Sequence, residues 1–386
     1  MDGLTRLVKK FAIEAGGSLV RIASRGRLTD APPSGDPTYL LPSARSIVSF
    51  AVALDTRAAS EFLSKEDWLS HCADRKKKVA KLYSLGEGLV NLLEDKGFEA
   101  INVDVNNNYR PEEGATDVTE MTEFHPEFSH RYAAVAAGLG RLGWSGNLMT
   151  HEFGALVELG SVITSAELAS DPLIEESPCD KCKMCAMVCP VEMISPKEPL
   201  TVTIAGIVEE IAQKRPNTCC WIGCTGYEGM APNGKWSNWS PYRLDAPLPE
   251  AKDELDALCI SLQKADPQMN LEKNAFSDYR SFVLSPDSFY YTVCGFCRNV
   301  CRAKREERLD KLKVIQKSGT AALGLDGIHV VASEETEEVT TPYGVKVTVN
   351  KIDMDLLREG TSGGAAKLIR NPMDDEVIAL LKERAS

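Results

Sequence analysis

A mixed α/β fold with a cysteine-rich unit attached is predicted by three observations. Apolar runs of strand length alternate with stretches of helical period over roughly the first 165 residues. An Ala-rich helical stretch runs straight into glycines at "AAVAAGLGRLGWSGN", residues 133–147. Most of the twelve cysteines fall between residues 179 and 301.

Residues 1–25 read as an amphipathic helix, with Leu4, Leu7, Val8, Phe11 and Ala15 on one face. "APPSGDP" (31–37) is a loop. "ARSIVSFAVAL" (44–54) is a buried strand behind the breaker Pro42. A long helical period over 66–96 ends at Gly97, a C-cap candidate. "FEAINVDV" (98–105) is a second strand, followed by the loop "NNNYRPEEGATD". After the Ala-rich helix, "ALVELGSVIT" (155–164) is a third strand. Beyond the cysteines, "IHVVASEETEEVTTPYGVKVTVN" reads as strands with a turn at Tyr343–Gly344, and "MDDEVIALLKERA" as a final helix. Alternation of this kind argues for an α/β core.

The 386 residues are enough for two or three domains. Hydrophobic residues make up 43% and charged residues 26%, the balance of a globular chain. Lys plus Arg number 44 against 56 Asp plus Glu, a net charge of −12, so nucleic acid is an unlikely partner on charge grounds. No run of 18 apolar residues suggests a membrane helix, and the N-terminal stretch does not have the form of a signal peptide. The expectation is a cytoplasmic protein without a membrane partner, where cysteines stay reduced and bind metals.

Gly138, Gly140 and Gly143 spell G-x-G-x-x-G. A dinucleotide fingerprint needs a strand before the glycines and a helix after them. Here a helix comes first, so the dinucleotide reading fails. What remains is a helix end whose backbone is approached closely, either by another part of the chain or by a cofactor.

"CDKCKMCAMVCP" sets Cys179, Cys182, Cys185 and Cys189 in C-x2-C-x2-C-x3-C-P, the spacing of bacterial ferredoxins. Three close thiolates serve one 4Fe–4S cluster, and the fourth cysteine serves another. "CGFCRNVC" supplies Cys294, Cys297 and Cys301. Crossing the fourth ligands gives Cys179, Cys182, Cys185 and Cys301 for the first cluster. The second has Cys189, Cys294 and Cys297, and its last ligand comes from Cys219, Cys220 or Cys224, with Cys220 favoured. Cys72 and Cys259 read as buried thiols.

"LPSARSIVSFAVAL", then "SHRYAAVAAGLGRLGWSGNLMTHEFGALVELGSVITSAEL", then the cysteine motif, resembles the cobalamin-dependent iron–sulfur reductases, the epoxyqueuosine reductase and reductive dehalogenase group. The resemblance covers about residues 38–195 and resumes at 294–301. It implies a nitroreductase-like core and a ferredoxin-like domain, with a cobalamin or related corrinoid between them. It divides the chain into an N-terminal helix (1–30), a corrinoid-binding core (31–170), a two-cluster domain with an aromatic insertion (171–305), and a C-terminal strand pair and helix (306–386). The chain departs from the family at Arg302, where a Pro-Trp pair usually follows the last cysteine, and in the long insertion "CCWIGCTGYEGMAPNGKWSNWSPYR".

By the same resemblance, Arg131, Gly138, Gly140, Gly143, Ser145 and Asn147 would line the corrinoid. A reduction also needs a proton donor. Tyr109, with Arg110 beside it to favour a phenolate, Glu123 and His125 are the candidates, and His130 stands where the family often has Glu. Trp221, Trp236, Trp239 and Tyr242 either form a small local core or wall a pocket. The expected function is a reductase that takes electrons from a ferredoxin or flavodoxin and reduces a small organic molecule. The alternatives are an electron carrier that reduces a partner's corrinoid, and a flavin-dependent nitroreductase-like module fused to a ferredoxin.

Overall fold

Helix α1 (Gly3–Glu14) stops well short of residue 25. Gly16 and Gly17 donate back to the carbonyls of Ile13 and Ala12, which closes the helix end. The next residues, "LVRIAS", form strand β1 (Leu19–Ser24), an edge strand beside β2 (Ser46–Ala53). The helical reading of 1–25 is therefore corrected in its second half. Val20 and Ile22 are β-branched and follow a Gly-Gly break, which is a strand signal. The computed structural model describes residues 3–104, 109–111, 125–215, 220, 223–224, 229–240, 293–324, 327–331, 336–340, 346–350 and 367–369.

From β2 the chain enters α2 (Thr56–Leu63), whose first amides are capped by the Asp55 carboxylate. The long α3 (Leu69–Glu94) follows and is closed at Gly97, as the sequence predicts. Strand β3 (Ala100–Asn102) keeps only three of the eight residues expected. Next come α4 (His130–Ala137), the short pair β4 (Arg141–Leu142) and β5 (Leu148–Met149), and β6 (Val157–Thr164). The main sheet has the order β1-β2-β6-β3, and every pairing in it is antiparallel. The fold is mixed α/β in composition, but its sheet is of the α+β kind rather than the parallel kind that alternation suggests. The reason is that β6, coming last, inserts between β2 and β3.

The two faces of this sheet bury different partners. Val48, Phe50, Val52 and Val162 pack against Val8 and Ala12 of α1 and Leu82, Leu85, Leu89 and Leu93 of α3. Ile47, Ala51, Val157 and Ile163 pack against Ala133–Ala137 of α4. Small side chains let α4 lie close on the sheet, with Ser129 capping its start and Gly138 closing its end in a left-handed conformation.

The cysteine section is built from α5 (Met184–Met187), the hairpin β7 (Ile194–Ile204) and β8 (Ile207–Lys214), α6 (Phe296–Asn299) and α7 (Arg305–Gln316). It does not hang free of the core. Ile204 and Ile211 join the α4 face. Phe62, Leu63 and Trp68 share one cluster with Trp236, Trp239, Phe296 and Ile315. Trp239 donates its indole N–H to the Phe62 carbonyl at 2.9 Å. Trp236 and Trp239 therefore form core, one of the two roles open to them; Trp221 and Tyr242 lie outside the described residues. Burying side chains of this size contributes about 1.5–3 kcal/mol each. After α7 come β9 (Thr320–Gly324), β10 (Gly327–Val331) and β13 (Lys367–Ile369) in a small sheet, and the hairpin β11 (Thr336–Thr340) with β12 (Lys346–Asn350). The Tyr343–Gly344 turn and the final helix lie outside the described residues.

Candidate redox site

The sharp turns before α5 and α6 bring the cysteines together. Lys181 and Lys183 have positive φ, and Gly295 does the same work at the start of α6. Helices α5 and α6 pack on each other. The thiols fall into two groups. Cys301 lies within electrostatic reach of Cys179, Cys182 and Cys297, and Cys185 of Cys297, Cys301, Cys179 and Cys182, so Cys297 is felt by both groups. Cys189 interacts instead with Cys294, Cys297 and Cys220. Each group thus takes one cysteine from the other's sequence motif, which is the crossed arrangement that the spacing suggests. Among the described residues no three metal-binding side chains converge on a single-ion site. Ligands of a cubane attach at separate corners and stand further apart than those of one ion.

Sequence reasoning left the second group's last thiol open, and the structure brings in one more than expected. Cys220 and Cys224 have sulfurs 3.5 Å apart. Cys224 keeps its proton and shares it with Cys220 and Cys294, so its own pKa is raised while Cys294 is lowered to about 7 by that hydrogen bond. Cys219 lies outside the described residues.

Elsewhere the thiols resist ionising. Burial, then Cys179, pushes Cys301 up to about 12, and burial, then Cys294, pushes Cys189 up to about 12. Burial, then Cys220, pushes Cys297 up to about 11. Coordination reverses this, because a bound cation deprotonates its thiols outright. The backbone already offers what thiolates need. Trp144 N–H points at Cys179 Sγ at 3.3 Å, and Met193 N–H at Cys189 Sγ at 3.3 Å. Such donors help set the potential of iron–sulfur clusters. The donor set fits two thiolate-ligated clusters.

Two of the glycines are approached closely by the chain's own backbone. A side chain at Gly138 would strike the Pro172 carbonyl, and one at Gly140 would stand 2.5 Å from the Met149 carbonyl. Both glycines are demanded by the chain's own packing, whatever else approaches the loop. Gly143 faces Asn147 and Cys179. Asn147 directs its amide to Ser145 Oγ at 3.1 Å and to Cys297 Sγ at 3.8 Å. The loop thus reaches the thiols through Gly143 and Asn147, and Ser145 Oγ accepts from the Asn147 amide.

Tyr109 forms an isolated bridge with Pro126, and Arg110 N–H donates to the His125 carbonyl at 2.7 Å, so both flank one short backbone pairing. Burial raises the Tyr109 pKa and keeps its hydroxyl protonated. The expected help from Arg110 toward a phenolate is corrected. That guanidinium donates to the Glu127 and Asp36 carbonyls and stacks over Tyr39. Glu123 lies outside the described residues. Arg131, at the start of α4, lies within electrostatic range of Lys214 and Cys220.

His130 is a structural tie. Its Nε2 donates to the Asp104 carbonyl at 3.0 Å, which leaves Nδ1 to accept from Ser161 Oγ at 2.9 Å. Burial holds it neutral, with a pKa lowered to about 4. Its contribution to stability is therefore complete above the ordinary histidine value and is lost as pH falls from about 6.5 to about 4. The expected loss is on the order of 3 kcal/mol. Anaerobic urea titrations of wild type and His130→Asn between pH 7 and 4 should show the wild type losing stability more steeply; parallel slopes would remove His130 as the cause.

Three features carried no sequence signal. Glu158 of β6 is clamped between Arg75 of α3 (2.9 Å) and Arg298 of α6 (2.7 Å). Ala155 N–H donates to the Cys301 carbonyl at 2.8 Å. These contacts fix the cysteine helix to the sheet. Arg302 is buried, donates to Ser60 Oγ at 3.3 Å, and has Nε and Nη1 without a partner among the described residues.

No family model matches the chain. It is similar to the epoxyqueuosine reductase of Bacillus cereus, 26% identical over 242 residues that cover 60% of this chain and 59% of the relative. The Bacillus anthracis enzyme of the same name matches at the same identity and coverage. The chain spans about three-fifths of the length of these curated relatives. Among solved structures, an epoxyqueuosine reductase with an epoxyqueuosine-modified tRNA-Tyr stem loop is 17% identical, with 81% of this chain and 98% of that chain covered and a TM-score of 0.38. A reductive dehalogenase linked to B12-dependent dehalogenation is 14% identical, covering 95% of this chain and 42% of that chain, with a TM-score of 0.40. Among the described residues no helix is long and apolar enough to cross a membrane.

Proposed function

We propose that the chain is an oxidoreductase that holds two 4Fe–4S clusters and delivers their electrons to a corrinoid. The first cluster is held by Cys179, Cys182, Cys185 and Cys301. The second is held by Cys189, Cys294, Cys297 and Cys220, with Cys224 next in line. The crossed grouping of thiols carries this reading: Cys301 interacts most strongly with Cys179, and Cys189 with Cys294, as where two ferredoxin motifs exchange their fourth cysteines. When bound, clusters supply one-electron transfer and a corrinoid cobalt supplies low-potential reduction. The chain's own part is to orient the thiolates through Trp144 N–H and Met193 N–H, and to hold a proton on Tyr109.

The acidic balance argues against nucleic acid, but similarity to epoxyqueuosine reductases widens the substrate class. A modified nucleoside, free or within tRNA, stands beside a small organic molecule. A ferredoxin or flavodoxin is the proposed donor. A second reading, a carrier that reduces a partner's corrinoid, draws support from Gly138 and Gly140, whose close approach is accounted for by backbone carbonyls of the chain itself.

Anaerobic reconstitution with iron, sulfide and cobalamin tests both readings. About eight irons and about one cobalt per chain are expected, two cubanes of four and one corrinoid. About four irons would overturn the two-cluster assignment. Eight irons without retained cobalt would move the function to the carrier. Cys220→Ala is expected to lose the second cluster; if it stays and Cys224→Ala loses it, Cys224 is the ligand.

A further inference from the structure

Strand β8 ends at Lys214, and the hairpin delivers this side chain to an unusual place. Ala212 N–H bonds the Trp144 carbonyl at 2.7 Å, which fastens β8 to the glycine loop. A side chain at Gly146, whose φ is +75°, would stand 2.6 Å from Lys214 Nζ. Glycine at 146 therefore leaves room for the ammonium. The cation has no carboxylate ion-pair partner among the described residues. Burial, then Arg131, lowers its pKa to about 8, while Cys297, Cys220 and Cys185 pull the other way. Lys214 is half-buried, and Gly146 beneath its ammonium adjoins Asn147, whose amide lies 3.8 Å from Cys297 Sγ. The groups that draw on it are cysteine sulfurs, which carry charge as thiolates when a cluster is bound, and the two strongest belong to the second group.

Resting on the two-cluster reading above, we propose that Lys214 is the fixed counter-ion of the second cluster, and that it raises that cluster's reduction potential above the value it would have without the ammonium. One electron from the reductant adds one negative charge to the cluster. A neighbouring ammonium favours the state that carries the extra charge, and net charge and surroundings are what tune such potentials. No bond is made or broken and no proton is moved in this step. Asn147, donating toward Cys297, acts in the same direction but carries no charge. Lys214 is thus a positioning residue for electrons.

The test is a redox titration with dithionite and mediators, read by electron paramagnetic resonance, on the reconstituted full chain. Cys301→Ala, which keeps only the second cluster, assigns its signal. Lys214→Met and Lys214→Gln should each keep about eight irons. In both, the reduction equilibrium of the second cluster should fall by about tenfold, about 59 mV for one electron, with the first unmoved. Lys214→Arg should restore it. If the neutral variants lose the second cluster's iron while Lys214→Arg keeps it, the counter-charge is needed for assembly as well, and the proposal stands. Equal shifts of both clusters, no shift in either, or loss of iron in Lys214→Arg too would overturn it. A wild-type chain with only four irons would instead bring down the two-cluster reading itself.

Discussion

Cys301→Ala should remove the cluster held by Cys179, Cys182 and Cys185, and leave the other intact. Cys189→Ala should do the reverse. Each variant should fall from about eight irons to about four after anaerobic reconstitution. The expectation runs against the order of the sequence, since Cys301 belongs to the second motif and Cys189 to the first. It follows from the neighbours each thiol has, Cys179 and Cys182 for Cys301, and Cys294 and Cys297 for Cys189. A cubane deprived of one of its four thiolates is not retained, so the damage should be confined to one site. Double variants decide the matter. Cys301→Ala with Cys179→Ala should be no worse than either alone, and Cys301→Ala with Cys189→Ala should lose both clusters. If Cys301→Ala combined with Cys294→Ala still left one cluster, the crossing would be wrong.

Glu158→Gln is expected to destabilise the protein by about 3–5 kcal/mol, the usual loss when one partner of a buried ion pair is removed. Two guanidiniums, Arg75 and Arg298, would then face each other without their carboxylate. Burial opposes the Glu158 charge, but Arg298 and Arg75 together overcome it and lower its pKa to about 2. This depressed carboxylate contributes fully above its ordinary value near 4.5 and loses that contribution as pH falls toward 2. Urea midpoints measured at neutral pH check the magnitude. The triple variant Arg75→Met, Glu158→Leu, Arg298→Met separates charge from packing, since replacing a whole buried ion group by apolar side chains is often neutral. If Glu158→Gln were as stable as wild type, the clamp would not be what holds α6 on the sheet.

The cysteine chemistry was legible because it is local. Two-residue and three-residue gaps on a tight turn determine which thiols can curl round one centre, wherever the turn sits in the fold. Helix α3 and strands β2 and β6 were legible for a related reason, since their apolar periods match their burial. Strand β1 was missed because Leu19–Ser24 follows a helix with matching apolar spacing, and its pairing partner β2 is more than twenty residues away. Cys224 was only one of three candidates, because a C-x3-C spacing says nothing about which loop folds back on Cys294.

By itself the sequence determined the two thiol motifs, the composition of the core and the resemblance to corrinoid-dependent reductases, and it suggested the exchange of fourth ligands. Tertiary structure decided the rest. It turned alternating elements into an antiparallel sheet by inserting β6 between β2 and β3. It set Gly138 and Gly140 against the carbonyls of Pro172 and Met149, where the sequence suggested a cofactor. It also brought Lys214 over Gly146 and Arg298 onto Glu158, pairs separated by 68 and 140 positions in the numbering. Spacing along the chain constrains only groups that share a turn or a face. Which distant charge ends up beside a thiolate depends on how separate elements pack, because desolvation and Coulomb energy depend on distance through space.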